Sequence, residues 1–184
     1  FVFLWGVRGE HSGLAHHNIF FSSDYRGEFE ELFDRRVPPS DPTTYVAVTS
    51  RTDPDHAPPG HENWFVLINM PSTEPGKPPP DRFAVRARVL AKLARHGFDV
   101  GGKIVMERMV GPEEFERRFN ANRGSIYGLS SNSRASAFLR PRNRVRGIRG
   151  LYLCGGSAHP GGGIPLVITS GRLAAEACLE DLRA

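Results

Sequence analysis

The chain has 184 residues, 24 Lys and Arg against 20 Asp and Glu, and a formal charge of +4. Only 39% of it is hydrophobic, and 20 Gly and 15 Pro predict many loops around a modest core. The arginines are scattered, apart from the stretch Arg134–Arg149, and match no nucleic-acid-binding motif, so the reading excludes a nucleic-acid partner.

Two cysteines, Cys154 and Cys178, sit in apolar segments and read as small buried hydrophobes in a reducing, cytoplasmic setting. No Cys/His cluster has zinc spacing. No apolar run reaches the roughly 18 residues a spanning helix needs, and no signal peptide is evident.

Phe1–Val7 reads as a core strand, which leads to the expectation of further sequence upstream. His16–Ser22 reads as a short strand, and Asp24 as the N-cap of a helix to about Phe33 with Phe29, Leu32 and Phe33 on one face. Thr44–Ser50 and Trp64–Met70 read as strands, each followed by a Pro-rich loop. Asp81–His96 is the clearest amphipathic helix. Phe83, Val85, Val89, Leu90, Leu93 and Ala94 form its apolar stripe, and Gly97 closes it. Its cations Arg82, Arg86, Arg88, Lys92 and Arg95 read as a solvated face, with an anionic membrane surface as the alternative. Lys103–Val110 reads as a strand, Glu113–Phe119 as a short helix opened by Pro112, and Asn120–Ser133 as a Gly- and Ser-rich stretch. The order predicts an α+β (mixed α/β) fold without internal repeats.

The C-terminal segment is the most specific. An expected strand, Leu151–Cys154, meets the turn Gly155-Gly156-Ser157, and a second run, Gly161–Gly163, opens a helix of small and aliphatic residues. Glycines let backbone approach a ligand, and a helix N-terminus offers free N–H groups and a positive dipole end. The arrangement suits an anionic cofactor group. There is no Walker loop, and no G-x-G-x-x-G occurs anywhere in the chain, so this would be a second contact to a cofactor held mainly elsewhere. A second constellation, Asn120–Gly128 followed by Phe138–Asn143, mixes polar side chains, glycines and aromatics without a period, as a site-lining segment or a solvated loop would.

Three stretches together, Phe119–Gly128, Phe138–Arg144 and Gly150–Pro165, resemble the C-terminal part of bacterial phytoene desaturase-type enzymes, nearest the branch acting on hydroxylated or otherwise processed carotenoids. His16–Ser22 with Asp24 and Tyr25 add to the resemblance. It implies an FAD-dependent oxidoreductase of the amine-oxidase-like superfamily that desaturates a carotenoid or related polyene by hydride transfer to flavin. It also implies an antiparallel substrate-domain sheet with flanking helices over 1–140, and over 141–184 the strand-turn-helix that closes a split, Rossmann-like FAD domain. Mapped onto this chain, Gly155, Gly156 and Ser157 would approach the ribityl-pyrophosphate region, and Gly163, Ile164, Pro165, Leu166 and Val167 the flavin ring. With the FAD half absent, the segment alone is expected to hold FAD weakly, to be inactive, and to be prone to self-association. A polyene substrate also suggests peripheral contact with the cytoplasmic membrane.

No general base is assigned. His159 is the best-placed ionisable group, although a His in a Gly/Pro loop more often serves as a structural hydrogen-bonder. His16 and His17 are not expected to share a metal, since strand neighbours point to opposite faces. Arg140, Arg142 and Arg144 would contact phosphate, cap the sheet or simply be solvated. The other readings are a flavin amine oxidase or polyene isomerase of the same superfamily, and a non-catalytic domain binding an apolar ligand or partner.

Overall fold

The computed structural model describes residues 1–126 and 140–183. Two compact units are present, Phe1–Gly124 and Ser125–Ala184. The expected Tyr127 and Leu129 of the Gly-rich stretch, and Phe138 of the resemblance, lie outside the described residues.

The first unit is built on five strands, β1 (Val2–Arg8), β2 (His17–Phe20), β3 (Thr44–Ala47), β4 (His61–Ile68) and β5 (Ile104–Val110). They form one antiparallel sheet in the order β2-β3-β4-β1-β5. Alternation along β1 sends Phe3, Trp5 and Val7 to one face, where they meet Trp64, Val66 and Ile68 of β4. Gly6 points to the other face. A Cβ there would come within 3.3 Å of the Met106 Cβ, so glycine allows the tight pairing of β1 with β5 beside the register shift at Gly6/Val7.

The core face is covered by α2 (Arg82–Arg95) through Val85, Val89 and Leu93. Asp81 caps this helix by accepting from the N–H groups of Phe83 (2.9 Å) and Ala84 (3.2 Å), and Gly97, at φ +89°, closes it. Phe83, placed on the apolar stripe by the sequence, is 69% exposed, because two residues before Val85 it falls on the side of the helix away from the buried stripe.

The reading of a solvated basic face holds for Arg82, Arg88 and Arg95, which are exposed, but not for Lys92, and Arg86 is half-buried. Lys92 is 1% exposed and donates to the Phe21 carbonyl at 2.8 Å while pairing with Asp41 at 3.1 Å. Arg95 joins Asp41 at 2.6 Å, Arg82 pairs with Glu113 at 2.9 Å, and Arg86 pairs with Glu107 at 2.7 Å. Arg88 donates to the carbonyls of Pro38 and Pro39. Long stems carry these charges to acceptors on neighbouring segments, so the helix does not offer a free cationic stripe for a membrane surface.

Asp24 does cap α1 (Tyr25–Phe29), accepting from Gly27 N–H at 2.9 Å. The expected single helix to Phe33 instead passes into a π-helical segment, Glu30–Arg35, ended by Arg36 in the left-handed region. The wider turn separates the expected face. Leu32 is buried, whereas Phe29 and Phe33 are exposed and stack with each other at 5.5 Å. Helix α3 (Pro112–Phe119) follows β5 as the sequence predicts.

In the second unit the final helix forms as read, as α4 (Ile164–Arg183). The strand before it does not. Leu151–Cys154 makes only an isolated bridge, Arg144 with Tyr152, supported by Val145 N–H to Leu151 O (3.1 Å) and Leu153 N–H to Asn143 O (2.7 Å). A strand needs a ladder partner along its length, and among the described residues of this unit only 143–145 stands opposite. Outside a sheet, Cys154 is exposed and Cys178 half-buried, contrary to the buried pair expected. The fold class is borne out as mixed α+β with an open antiparallel five-stranded sheet. No described helix is long and apolar enough to cross a membrane.

Candidate functional site

In the second unit, local sequence sets the backbone of the turn. Gly155, Gly161 and Gly163 adopt φ of +106°, +131° and +96°, where an L side chain is strained. A Cβ built at Gly155 or Gly163 meets nothing within 4 Å, so these positions face open space. Gly156 is different. A Cβ there would make ordinary contacts with Gly162 Cα (3.6 Å) and Val167 Cγ2 (3.7 Å). Ser157 is exposed on the turn. The chain enters α4 through Gly163, and Pro165 occupies a first-turn position where no N–H is lost to the helix. The N–H groups of that first turn have no intrahelical partner, apart from Val167 N–H, which donates to Gly163 O at 2.9 Å. Ile164, Pro165, Leu166 and Val167 are all exposed, Ile164 at 79%. The turn therefore combines accessible backbone, unpaired donors at a helix start and an apolar rim.

Asn143 holds the turn in place, a role the sequence does not disclose. This buried side chain directs Nδ2 at the carbonyls of Leu153 (2.9 Å), His159 (3.0 Å) and Ser170 (3.3 Å) and at Ser170 Oγ (3.1 Å). Ser170 Oγ in turn accepts from Gly155 N–H at 3.2 Å. One amide thus ties the bridge, the turn and α4 together. Ser170 and Ala174 are the buried positions of the helix, so small residues permit close packing there, whereas Ala175 is exposed.

Arg140, Arg142, Asn143, Arg144 and His159 line a cleft of about 550 Å³ beside this turn. Arg140 donates to Gly156 O at 3.1 Å and lies against Gly161, where a Cβ would come within 3.1 Å of its Nε. Arg144 is committed elsewhere, to Glu180 at 3.1 Å and Asp181 at 3.0 Å. Tyr152 donates to the same Asp181 at 2.6 Å, and this bond pushes the phenol up to about 12 and holds the Asp181 carboxyl below its usual range. His159 has an exposed side chain. Its backbone N–H donates to Pro141 O at 2.9 Å, and its carbonyl accepts from Asn143.

His16 and His17, in the first unit, do not behave as strand neighbours. β2 begins only at His17, so the alternation rule does not apply to the pair, and their rings lie 4.3 Å apart. No group of three or more metal-ligating side chains occurs among the described residues.

No family model matches the chain. Curated proteins do. The chain is 39% identical over 176 residues to the 1-hydroxycarotenoid 3,4-desaturase of a Flavobacterium species, covering 95% of this chain and 36% of that protein. It is 38% identical over 185 residues to the carotenoid 3,4-desaturase of Haloarcula japonica, with 99% and 37% covered. It is 34% identical over 185 residues to the phytoene desaturase of Neurospora crassa, with 97% and 31% covered. The chain thus spans about a third of the length of these relatives. Along nearly its whole length the chain is homologous to carotenoid desaturase-type proteins, an oxidoreductase family, and is consistent with the C-terminal part of one.

Proposed function

We propose that this chain forms part of an FAD-dependent oxidoreductase that desaturates a carotenoid or related polyene. In this reading residues 1–140 belong mainly to the substrate domain, and residues 141–184 close the flavin site. The observation that carries the proposal is the open Gly155-Gly156-Ser157 turn at the foot of a 20-residue helix, in a chain homologous to carotenoid desaturase-type proteins.

The residues present fit the group. A dinucleotide needs close backbone approach and donors for its phosphates, and a flavin ring needs an apolar ledge. The unfilled space at Gly155 and Gly163, the first-turn N–H groups and the exposed Ile164, Leu166 and Val167 meet these needs. Gly155, Gly156 and Ser157 would hold the ribityl-pyrophosphate portion, and Gly163, Ile164, Pro165, Leu166 and Val167 would meet the ring. The N-terminal end of α4 favours negative charge developing nearby. When bound, FAD supplies an acceptor for the hydride that leaves one carbon while a proton leaves its neighbour, creating the new double bond. The chain's own residues would orient the flavin. His159 is the ionisable candidate on the turn, and no proton-transfer step is assigned to it. A carotenoid is the expected partner, encountered at a membrane surface.

The complete protein carrying this segment is expected to purify yellow, with a flavin absorption spectrum, and to convert a carotenoid to a more unsaturated product. A colourless protein that FAD cannot reconstitute would overturn the proposal. Gly156→Ala fits the contacts around that position and should retain FAD nearly as the parent does. Gly156→Val adds two methyl groups beyond the alanine Cβ, beside Gly162 and Val167 of the proposed flavin turn, and should weaken FAD binding about tenfold or more, or roughly 1.4 kcal/mol. Equal flavin content in folded valine and alanine variants would assign the turn a purely structural role.

A further inference from the structure

One face of the segment that follows β2 is aromatic and open. Phe21, Tyr25, Phe29 and Phe33 recur at every fourth residue and are 61%, 52%, 42% and 54% exposed. Val37, also exposed, follows at the same spacing. The rings form a ladder, with centroids 5.9, 5.0 and 5.5 Å apart. On α turns of 3.6 residues, a stripe at every fourth residue advances about 40° per step. The wider π turns of Glu30–Arg35 run it back, so the departure from α geometry keeps the rings in line. The opposite face is tied to the body of the unit. Glu28 accepts from the N–H and hydroxyl of Thr43, Glu31 accepts from the N–H of Ser40 at 2.8 Å, and Leu32 is buried. One residue beyond the rungs runs a charged line, Arg26, Glu30 and Asp34. Arg26 lies 3.3 Å from Glu30 with 92% of its side chain exposed. Asp34 has no hydrogen bond or ion pair among the described residues.

We infer that this ladder is a two-fold, antiparallel interface with a second copy of the chain. Burial of a contiguous row of rings is favourable, and such a row is more than the single apolar side chains an ordinary surface carries. Spacing and charge together select the occupant. When two copies lie antiparallel about Glu30, Phe29 of one enters between Phe29 and Phe33 of the other. Phe33 enters between Tyr25 and Phe29, so the rings interdigitate and gain offset contacts with one another. The same register sets Arg26 of each copy against Asp34 of the other, once at each end of the contact. Only Glu30 meets its own kind, at the axis. A parallel pairing would instead set Arg26 on Arg26, Glu30 on Glu30 and Asp34 on Asp34, and like charges in apposition oppose association. An isologous contact of this kind closes on two copies and leaves no further apolar face to propagate. The inference does not depend on the flavin or on the polyene.

The test is sedimentation of the complete FAD-loaded protein over a range of concentrations. The parent should run as a dimer that dissociates on dilution. Arg26→Asp and Asp34→Arg should each weaken the dimer about tenfold. The two changes combined should return it to within about threefold of the parent, because the exchanged charges meet again across the interface. All three positions of change are exposed or lie in the charged line, and fluorescence of Trp5 and Trp64 verifies that each variant is folded. A parent that stays monomeric at every concentration overturns the inference, as when a lipid surface or another segment of the complete protein covers the ladder. So does a dimer that Arg26→Asp leaves unchanged, which places the contact elsewhere, or a double variant no tighter than either single one. Flavin content and carotenoid turnover of the same samples test the proposed function separately.

Discussion

Asp41→Asn will lower the unfolding free energy of the Phe1–Gly124 unit by about 3 kcal/mol, the cost of leaving a buried charge without its partner. The charge in question is Lys92, 1% exposed, whose remaining partner would be the Phe21 carbonyl. Asp41 also accepts from the N–H and hydroxyl of Ser23, both at 2.9 Å, so it pins the segment leading into α1 against α2. Both tryptophans, Trp5 and Trp64, lie in this unit's core, and denaturant titration followed by their fluorescence reads it directly. A loss below about 1 kcal/mol would show that Lys92 finds other solvation in the folded state.

The same residue predicts a pH dependence. Partial burial pushes the Asp41 carboxyl up, but the Ser23 N–H, the Lys92 ammonium and the Ser23 hydroxyl outweigh it and hold the group at about 2, against an ordinary 3.8. A carboxyl depressed on folding stabilises at pH above its unfolded value and loses that contribution as pH falls through the folded value. The stability gap between the parent and Asp41→Asn should therefore be full above about pH 4 and narrow by roughly 2 kcal/mol as pH approaches 2. A gap independent of pH over this range would remove Asp41 as the source.

Asn143→Leu will destabilise the turn and α4 by about 3 kcal/mol, because it keeps the volume but strands the carbonyls of Leu153 and His159 and removes the amide's contact to Ser170. Asn143→Asp should be at least as damaging at neutral pH. It loses both amide donors and turns a carboxylate toward three carbonyl oxygens. Hydrogen exchange checks this locally, with protection lost first at Leu153 and Gly155, whose N–H groups are bonded to Asn143 O and Ser170 Oγ. In the complete protein, flavin retention should fall in parallel. Unchanged exchange in the leucine variant would make the amide dispensable.

Local chemistry was easy to read where it acts within a few residues. Asp81 and Asp24 announce their helices because a short carboxylate can reach the next turn's N–H groups, and Gly97 announces a stop because its φ is positive. The Gly155–Gly163 turn was visible for the same reason, since its conformation depends on glycine itself. The final strand misled because an apolar run specifies a preference for pairing, not the presence of a partner, and here only 143–145 stands opposite it. Leu32 parted from Phe29 and Phe33 because a π turn changes the phase that a regular period assumes.

Sequence by itself determined the mixed α+β class, the amphipathic α2, the glycine turn and the resemblance to carotenoid desaturase-type proteins. These follow from periodicity, from side-chain reach over three or four residues, or from motif. Only the tertiary structure decided that Lys92 is buried and that Asn143 is the hub of the turn. Each depends on groups far apart in the chain, 71 residues between Lys92 and Phe21 and 27 between Asn143 and Ser170. Strand register and helix docking bring such groups together, and no local pattern encodes that distance.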